Sequence, residues 1–350
     1  MIRLSILMFP LILCAQLLNL PESIVFDADR DRYIVSNWGD GRIIELDTLG
    51  NQQIFSDRYE RIAGLYRDGD DLYVACNLAP DVGVARFDLA TDSLVDFFPI
   101  PEAELPNDIC VDTSGHLFVT DYWGSAIYRI NLAAGTASLF WDTGFNMPNG
   151  ILFDPRENRI IMTSNNESPS YPLRQIHLAD STMSILVRTY LSGLDGLAFD
   201  SEYRLYASTW SRNAIERYPA DMSGGFTPFS TGHNSPADIY FDAVNSLLCV
   251  PNFGDSTLSF VPVFTENIAE RPPKPAALAT SLNPNPFNST LSITAPTNAR
   301  ITIHDTQGRQ IADLGTGRIW NPGDDVPSGI YLVRVQSGGE VGGMKAVLVR

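Results

Sequence analysis

Six aspartates, Asp27, Asp68, Asp112, Asp154, Asp200 and Asp242, recur at gaps of 41, 44, 42, 46 and 42 residues, and each closes a short apolar run such as Ile24-Val25-Phe26 or Leu197-Ala198-Phe199. A period of this length, cut into several strand-like runs by turn residues, fits one four-stranded blade of a β-propeller rather than one helix pair of a solenoid. In the third copy Ile109-Cys110-Val111 runs into Asp112, Thr113-Ser114-Gly115 reverses the chain, residues 117–120 return, and residues 126–131 follow. β-rich runs bounded by Gly, Ser, Asp and Asn are hairpin signals. Aligned on the aspartate, Tyr33, Phe118, Ile160, Tyr206 and Leu248 all fall six residues later, and Tyr73 takes that place in a second copy one residue shorter. Trp38 and Trp123, beside Gly39 and Gly124, read as residues packing blade against blade. Six copies predict an all-β, six-bladed propeller. The sixth shows three strands, ending in residues 257–263, with the short segment before Pro21 as its candidate fourth.

The termini carry addresses. Met1-Ile2-Arg3, the apolar residues 4–13 and Cys14-Ala15-Gln16 read as a signal peptide cleaved after Ala15, spanning residues 1–15. Acylation at Cys14 is disfavoured because Leu13 is not a small residue. No other stretch is long and apolar enough to span a bilayer, so the expected product is exported and has no membrane span. With 24 basic against 41 acidic residues, the net charge of −17 opposes phosphate backbones and anionic lipid, and excludes nucleic acid as a partner. Cys76, Cys110 and Cys249 sit in strand-like runs without metal or redox spacing and read as buried free thiols.

Residues 16–263 form the predicted propeller, and residues 264–282, with Pro272-Pro273-Lys274-Pro275, read as an exposed linker. Alternating runs over residues 283–350 predict a small immunoglobulin-like β-sandwich. Its Asn283-Pro284-Asn285-Pro286-Phe287 opening, His304-Asp305 with Gly308-Arg309, the run from Pro327 to Val335 and the Lys345–Arg350 end occur in order. They closely resemble the type A C-terminal sorting domain of type IX secretion cargo. The resemblance implies the type IX machinery as a partner, passage through the outer membrane, and a secreted or cell-surface product whose tail is removed or exchanged for an anchor. Sequons Asn166-Glu167-Ser168 and Asn288-Ser289-Thr290 are uninformative in that setting.

Because the chain repeats, equivalent positions can be compared within it. Five residues before each repeat aspartate stand Glu22, Ala63, Asn107, Asn149, Asp195 and Ala237. Inner strands of a propeller begin around its central channel, so these six form a ring in which four members offer side-chain oxygens. Two carboxylates and two amides gathered about one axis need a cation between them. Oxygen-only donors select a hard ion, Ca²⁺ first and Mg²⁺ second, and the lack of His and Cys disfavours zinc. The alternative is that Pro106-Asn107-Asp108, Pro148-Asn149-Gly150 and Gly193-Leu194-Asp195-Gly196 are simply turns. Glu22 argues against that alternative, since glutamate has no special turn role. Asp108, Asp121, Tyr122, Trp210 and Asn252 align near the same rim as candidate pocket residues. Asp27-Ala28-Asp29-Arg30-Asp31 is not a calcium loop, because Arg32 stands where that loop needs Gly and Trp38 where it needs Glu.

The segments from Leu20 to Asp27, Leu105 to Asp112, Met147 to Asp154 and Leu194 to Asp200 resemble the senescence-marker-protein/gluconolactonase/luciferin-regenerating-enzyme group of six-bladed propellers. What that resemblance implies is a divalent cation held by Glu22, Asn107, Asn149 and Asp195, with Asp195 as the general base of lactone hydrolysis. Leu105 stands where the family's sugar lactonases place an arginine, which argues against sugar-acid recognition. The leading expectation is a calcium-dependent hydrolase of a small lactone or ester. The rival is a non-enzymatic, NHL-like propeller that binds an extracellular ligand and uses the cation structurally. His116, His177, His233 and His304 lack the companions of a serine-hydrolase triad.

Overall fold

The computed structural model describes residues 16–263 and 280–349, apart from 49, 143–146, 166–170, 224, 306–308 and 338–339. The expected signal peptide, residues 264–279 of the expected linker and the first sequon lie outside the described residues. Two units are present, divided near residue 265.

The first unit is the six-bladed propeller. Its first blade is an antiparallel meander of Pro21–Asp27, Arg32–Asn37, Ile43–Asp47 and Gln52–Ser56. The next four blades repeat this plan from inner strands Ile62–Asp68, Pro106–Val111, Pro148–Asp154 and Leu194–Phe199. The sixth has three strands among the described residues, Tyr240–Asp242, Leu247–Asn252 and Thr257–Pro262. Inner strands touch in ring order and the first meets the sixth, so the circle closes. In the first blade the two inner strands are buried throughout and the outermost is partly exposed, which is why the inner runs read as continuously apolar.

Closure differs from the expectation. Residues 16–20 form no strand. They strap blade one to blade six: the Gln16 amide donates to the Ser256 carbonyl (2.8 Å), the Leu20 N–H donates to Ser256 Oγ (3.0 Å), and Asn37 Nδ2 donates to the Leu17 carbonyl (2.8 Å). Leu18 is buried with Phe26 and Cys249, and the Tyr33 hydroxyl donates to Asp242 (2.8 Å), adding an apolar and a polar link across the same seam.

The repeat aspartates lock hairpins. Asp112 Oδ1 accepts the N–H groups of Ser114 and His116 (2.8 and 2.9 Å), and Asp200 Oδ1 accepts those of Glu202 and Arg204 (2.9 and 3.0 Å). Fully buried Asp27 gathers Arg30, Arg32 and, from the next blade, Arg67 (3.0, 3.1 and 3.4 Å). The side chains six residues later, from Tyr33 to Leu248, are all buried. One of the two tryptophans corrects the sequence reading. Trp123 is 55% exposed and stands at the channel mouth rather than between blades, whereas Trp38 lines the same mouth and also packs against the core of the second and third blades.

Cys76, Cys110 and Cys249 are free and buried, and burial pushes all three thiols up. A thiolate is the reactive form, so a disulfide reagent such as Ellman's is expected to leave all three unlabelled in the native protein and to label them on unfolding. Fast labelling of any of them under native conditions would contradict this core.

The second unit is a β-sandwich. One sheet orders Ser281–Asn283, Leu291–Thr294 and Ile319–Trp320, and the other Gln310–Gly315, Arg300–His304, Gly329–Ser337 and Glu340–Leu348. Its first strand starts two residues before the expected boundary. Strict alternation along Gly329–Ser337 sends Tyr331, Val333 and Val335 inward, where Trp320 lies 5.4 Å from Phe287 and 5.2 Å from Tyr331 between ring centroids.

Candidate functional site

Glu22, Asn107, Asn149 and Asp195 are each the second residue of an inner strand, and all four are buried at the floor of one open well of about 260 Å³. Ala63 and Ala237 hold the other two ring positions and are fully buried. The segments that resembled turns are strand starts. Their glycines serve approach between blades: a Cβ on Gly150 would meet the Asp195 carbonyl at 2.1 Å, and one on Gly196 would meet Asp238 Cα at 2.4 Å. Each such glycine lets one inner strand press against the start of the next blade.

Hydroxyls on the second strands fix the ring in place. Thr120 Oγ1 donates to the Asn149 carbonyl (2.8 Å), Thr163 Oγ1 to the Asp195 carbonyl (3.0 Å) and Ser208 Oγ to the Ala237 carbonyl (2.7 Å). The same Thr120 and Ser208 hydroxyls accept the N–H groups of Asp108 and Gly196 (3.0 and 2.9 Å). Sequence reasoning missed this belt, although a Ser or Thr stands eight or nine residues after the repeat aspartate at Ser36, Thr120, Thr163 and Ser208.

The electrostatics are those of an acidic cluster without a counter-charge. Burial, then Asp195 and Asp108, raises the Glu22 carboxyl well above the usual carboxylate range. Asp195 is pushed up to about 7 by burial and by Asp108, against hydrogen bonds from the Trp210 and Asn149 side chains that favour its ionised form. Asp108 is also pushed up to about 7 by burial, although its carboxylate accepts the N–H groups of Ile109 and Ile151 (both 2.7 Å). Asp238, which sequence reasoning missed, is raised by burial and by Asp108 and is held by the Ser23 hydroxyl (2.5 Å). Among the described residues, no Lys, Arg or His lines the well.

Tyr122 and Trp210 line the well, together with Leu105, Trp38, Trp123, Asn165, Gly193 and Phe253. Asp108 and Asp238 instead line a second cavity of about 390 Å³ whose walls come from the inner strands of all six blades. Asp121 does not line the well; its carboxylate accepts the Glu104, Leu105 and Gly124 N–H groups (3.0, 2.8 and 3.1 Å) and shapes the loop that carries Leu105. Asn252 is also elsewhere, donating to Thr257 and Ser259 (3.0 and 2.9 Å) beside His233.

The donor set fits a hard cation. Two carboxyls and two amides from four blades line one well, and burial followed by neighbouring acidic groups raises both carboxyls. Asn107 donates to Asn149 Oδ1, its neighbour in the ring. Among the described residues no three His, Cys, Asp or Glu side chains group closely enough to hold a metal by themselves, so the set depends on its two amides.

Residues 20–227 match the model of the SMP-30/gluconolactonase/LRE-like region, and residues 281–349 match that of the secretion system C-terminal sorting domain. No curated protein matches the chain. Among solved structures, a gluconolactonase from Xanthomonas campestris is similar at 16% identity and TM-score 0.58, over 71% of this chain and 87% of that one. A streptogramin B lyase shares 18% identity at TM-score 0.53, over 71% and 85%. A chain of a nidogen/laminin complex shares 17% at 0.53, over 66% and 93%. These likenesses show the fold, which carries a lactonase, a lyase and a complex-forming protein alike. The sorting domain directs the protein through type IX secretion to the cell surface or the extracellular space, and no described helix is long and apolar enough to cross a membrane. The family model covers more than half of the sequence, and the chain belongs to the SMP-30/gluconolactonase/LRE-like family.

Proposed function

We propose that this protein is an extracellular, metal-dependent hydrolase that opens a lactone or cleaves an ester at the well. The observation carrying the proposal is the convergence of Glu22, Asn107, Asn149 and Asp195 from four inner strands beneath an open mouth, with no cationic side chain to balance their charge. These four residues would hold Ca²⁺, or Mg²⁺ as the second choice. When bound, the ion would polarise the substrate carbonyl and favour ionisation of a nearby water.

The rest of the chemistry falls to the chain. Asp195 takes the proton from the water as its oxygen bonds to the carbonyl carbon, and returns it to the leaving oxygen as the acyl–oxygen bond breaks. The Trp210 and Asn149 side chains, donating to that carboxylate, orient it and favour its basic form. Glu22, two places along the ring from Asp195, completes the negative charge that would keep the ion in place.

The direct Asn107–Asn149 hydrogen bond favours a second reading, in which the ring satisfies part of its own polarity and the ion is a pin inside a binding propeller. Calorimetric calcium titration of the full chain, beside Glu22→Ala and Asp195→Ala, separates the two when followed by an ester and lactone panel. One calcium per chain, lost in both variants together with turnover, is the expected result. Binding without turnover of any ester or lactone would leave the pinned propeller, and no binding by wild type would remove the cation site.

A further inference from the structure

We propose that the well selects a neutral substrate carrying a single aromatic ring, an aryl ester or ring-fused lactone, over a sugar lactone. This deepens the hydrolase reading and rests on it. Beyond the four ring residues, the walls are Trp38, Leu105, Trp123, Trp210 and Phe253, and the polar side chains among them are Tyr122 and Asn165, bonded to each other at 3.4 Å. Outside the ring, a sugar's several hydroxyls would find only the Tyr122 hydroxyl and the unpartnered Asn165 Oδ1 to replace the hydrogen bonds they leave in water. A sugar acid's carboxylate would meet no Lys, Arg or His.

The aromatic walls, in contrast, are built. Trp210 and Phe253 stand 5.3 Å apart at a 38° tilt and present a flat side, while Trp38 is held by the Arg61 guanidinium 5.2 Å over its ring. Trp123 and Trp210 keep 55% and 39% of their surface exposed at the mouth, and such unburied indoles mark a ligand face. Leu105 is buried and its N–H is pinned by Asp121 (2.8 Å), which fixes an apolar residue in the wall of the well. The volume of about 260 Å³ admits one ring and a short acyl chain rather than a drug-sized ligand.

The test has a binding arm and a turnover arm on the calcium-loaded full chain. Acetanilide, an amide isostere of phenyl acetate, is expected to quench tryptophan fluorescence, and gluconamide is not. Trp123→Ala and Phe253→Ala should each weaken acetanilide about tenfold while leaving the calcium titration unchanged. In turnover, kcat/KM for phenyl acetate and dihydrocoumarin should exceed that for glucono-1,5-lactone by about 100-fold, and Leu105→Arg should cut this ratio about tenfold or more. Gluconamide binding as tightly as acetanilide, or no quenching by acetanilide, would overturn the selectivity. Quenching with no turnover of either class supports the selectivity and counts against the hydrolase alone.

Discussion

Asp195→Asn is expected to lower kcat for the best ester or lactone by about 10³-fold, within the range by which a positioned general base accelerates proton transfer. Asparagine keeps the size and one oxygen of the side chain but cannot accept the proton from water. Glu22→Gln is expected to act through the ion, so its lost activity should return in part at high calcium, whereas that of Asp195→Asn should not. Trp210→Phe separates positioning from catalysis. The indole favours the ionised form of Asp195, so removing it raises the carboxyl and moves the acidic limb of the kcat/KM profile to higher pH without abolishing turnover. Unchanged kcat in Asp195→Asn would remove this residue as the base and leave the ring with an ion-holding role only.

The propeller was legible because its blades are copies. A hairpin needs the same aspartate at the same turn each time, so Asp27, Asp112 and Asp200 repeat for reasons of local hydrogen bonding and reveal the period. Ring residues were found by stepping back from that mark, since strand registry carries equivalent positions to equivalent places on the channel. Asp238 escaped because only one step was read. One residue further along, the six copies hold Ser23, Gly64, Asp108, Gly150, Gly196 and Asp238, and three of those residues surround the second cavity's acidic end. The N-terminal strap was illegible for a different reason. Its bonds run to Ser256 and Asn37, far away in the chain, and no local pattern distinguishes a strap from a short strand. Asp121 and Asn252 were misjudged because proximity to the rim in an alignment does not say which way a side chain turns; both turn to loop and strand partners.

With a chelator present, the propeller's unfolding temperature is expected to fall as pH rises from 5 to 8, by about 10 °C or more, and saturating calcium is expected to abolish the fall. Asp195 and Asp108 rise to about 7 in the folded protein, and Glu22 and Asp238 rise too. Between the unfolded carboxylate value near 4 and about 7, the native state therefore binds more protons than the unfolded one. Stability falls with pH wherever the native state binds more protons, so the penalty is absent below pH 4 and, for Asp195 and Asp108, is in place once pH has passed about 7. One carboxyl moved by about three pH units is worth on the order of 4 kcal/mol, and in a propeller of this size 1 kcal/mol shifts the midpoint by about 2–4 °C. Opposing groups are weaker in this window. His233 is lowered by burial and costs stability on the acidic side, but it is a single group set against four carboxyls. Asp154, lowered by Arg156 and Arg159, loses its contribution only as pH drops below about 4. A cation on the ring reverses the sign for Glu22 and Asp195 by making the ionised form the preferred one, and an ion at about a thousand times its Kd adds about 4 kcal/mol. Calcium affinity should accordingly weaken as pH falls below 7, since protons and the ion compete for the same oxygens. A midpoint that stays flat from pH 5 to 8 in chelator would mean that the four carboxyls already have a counter-charge within the fold, and a midpoint that calcium does not move would remove the cation from the ring.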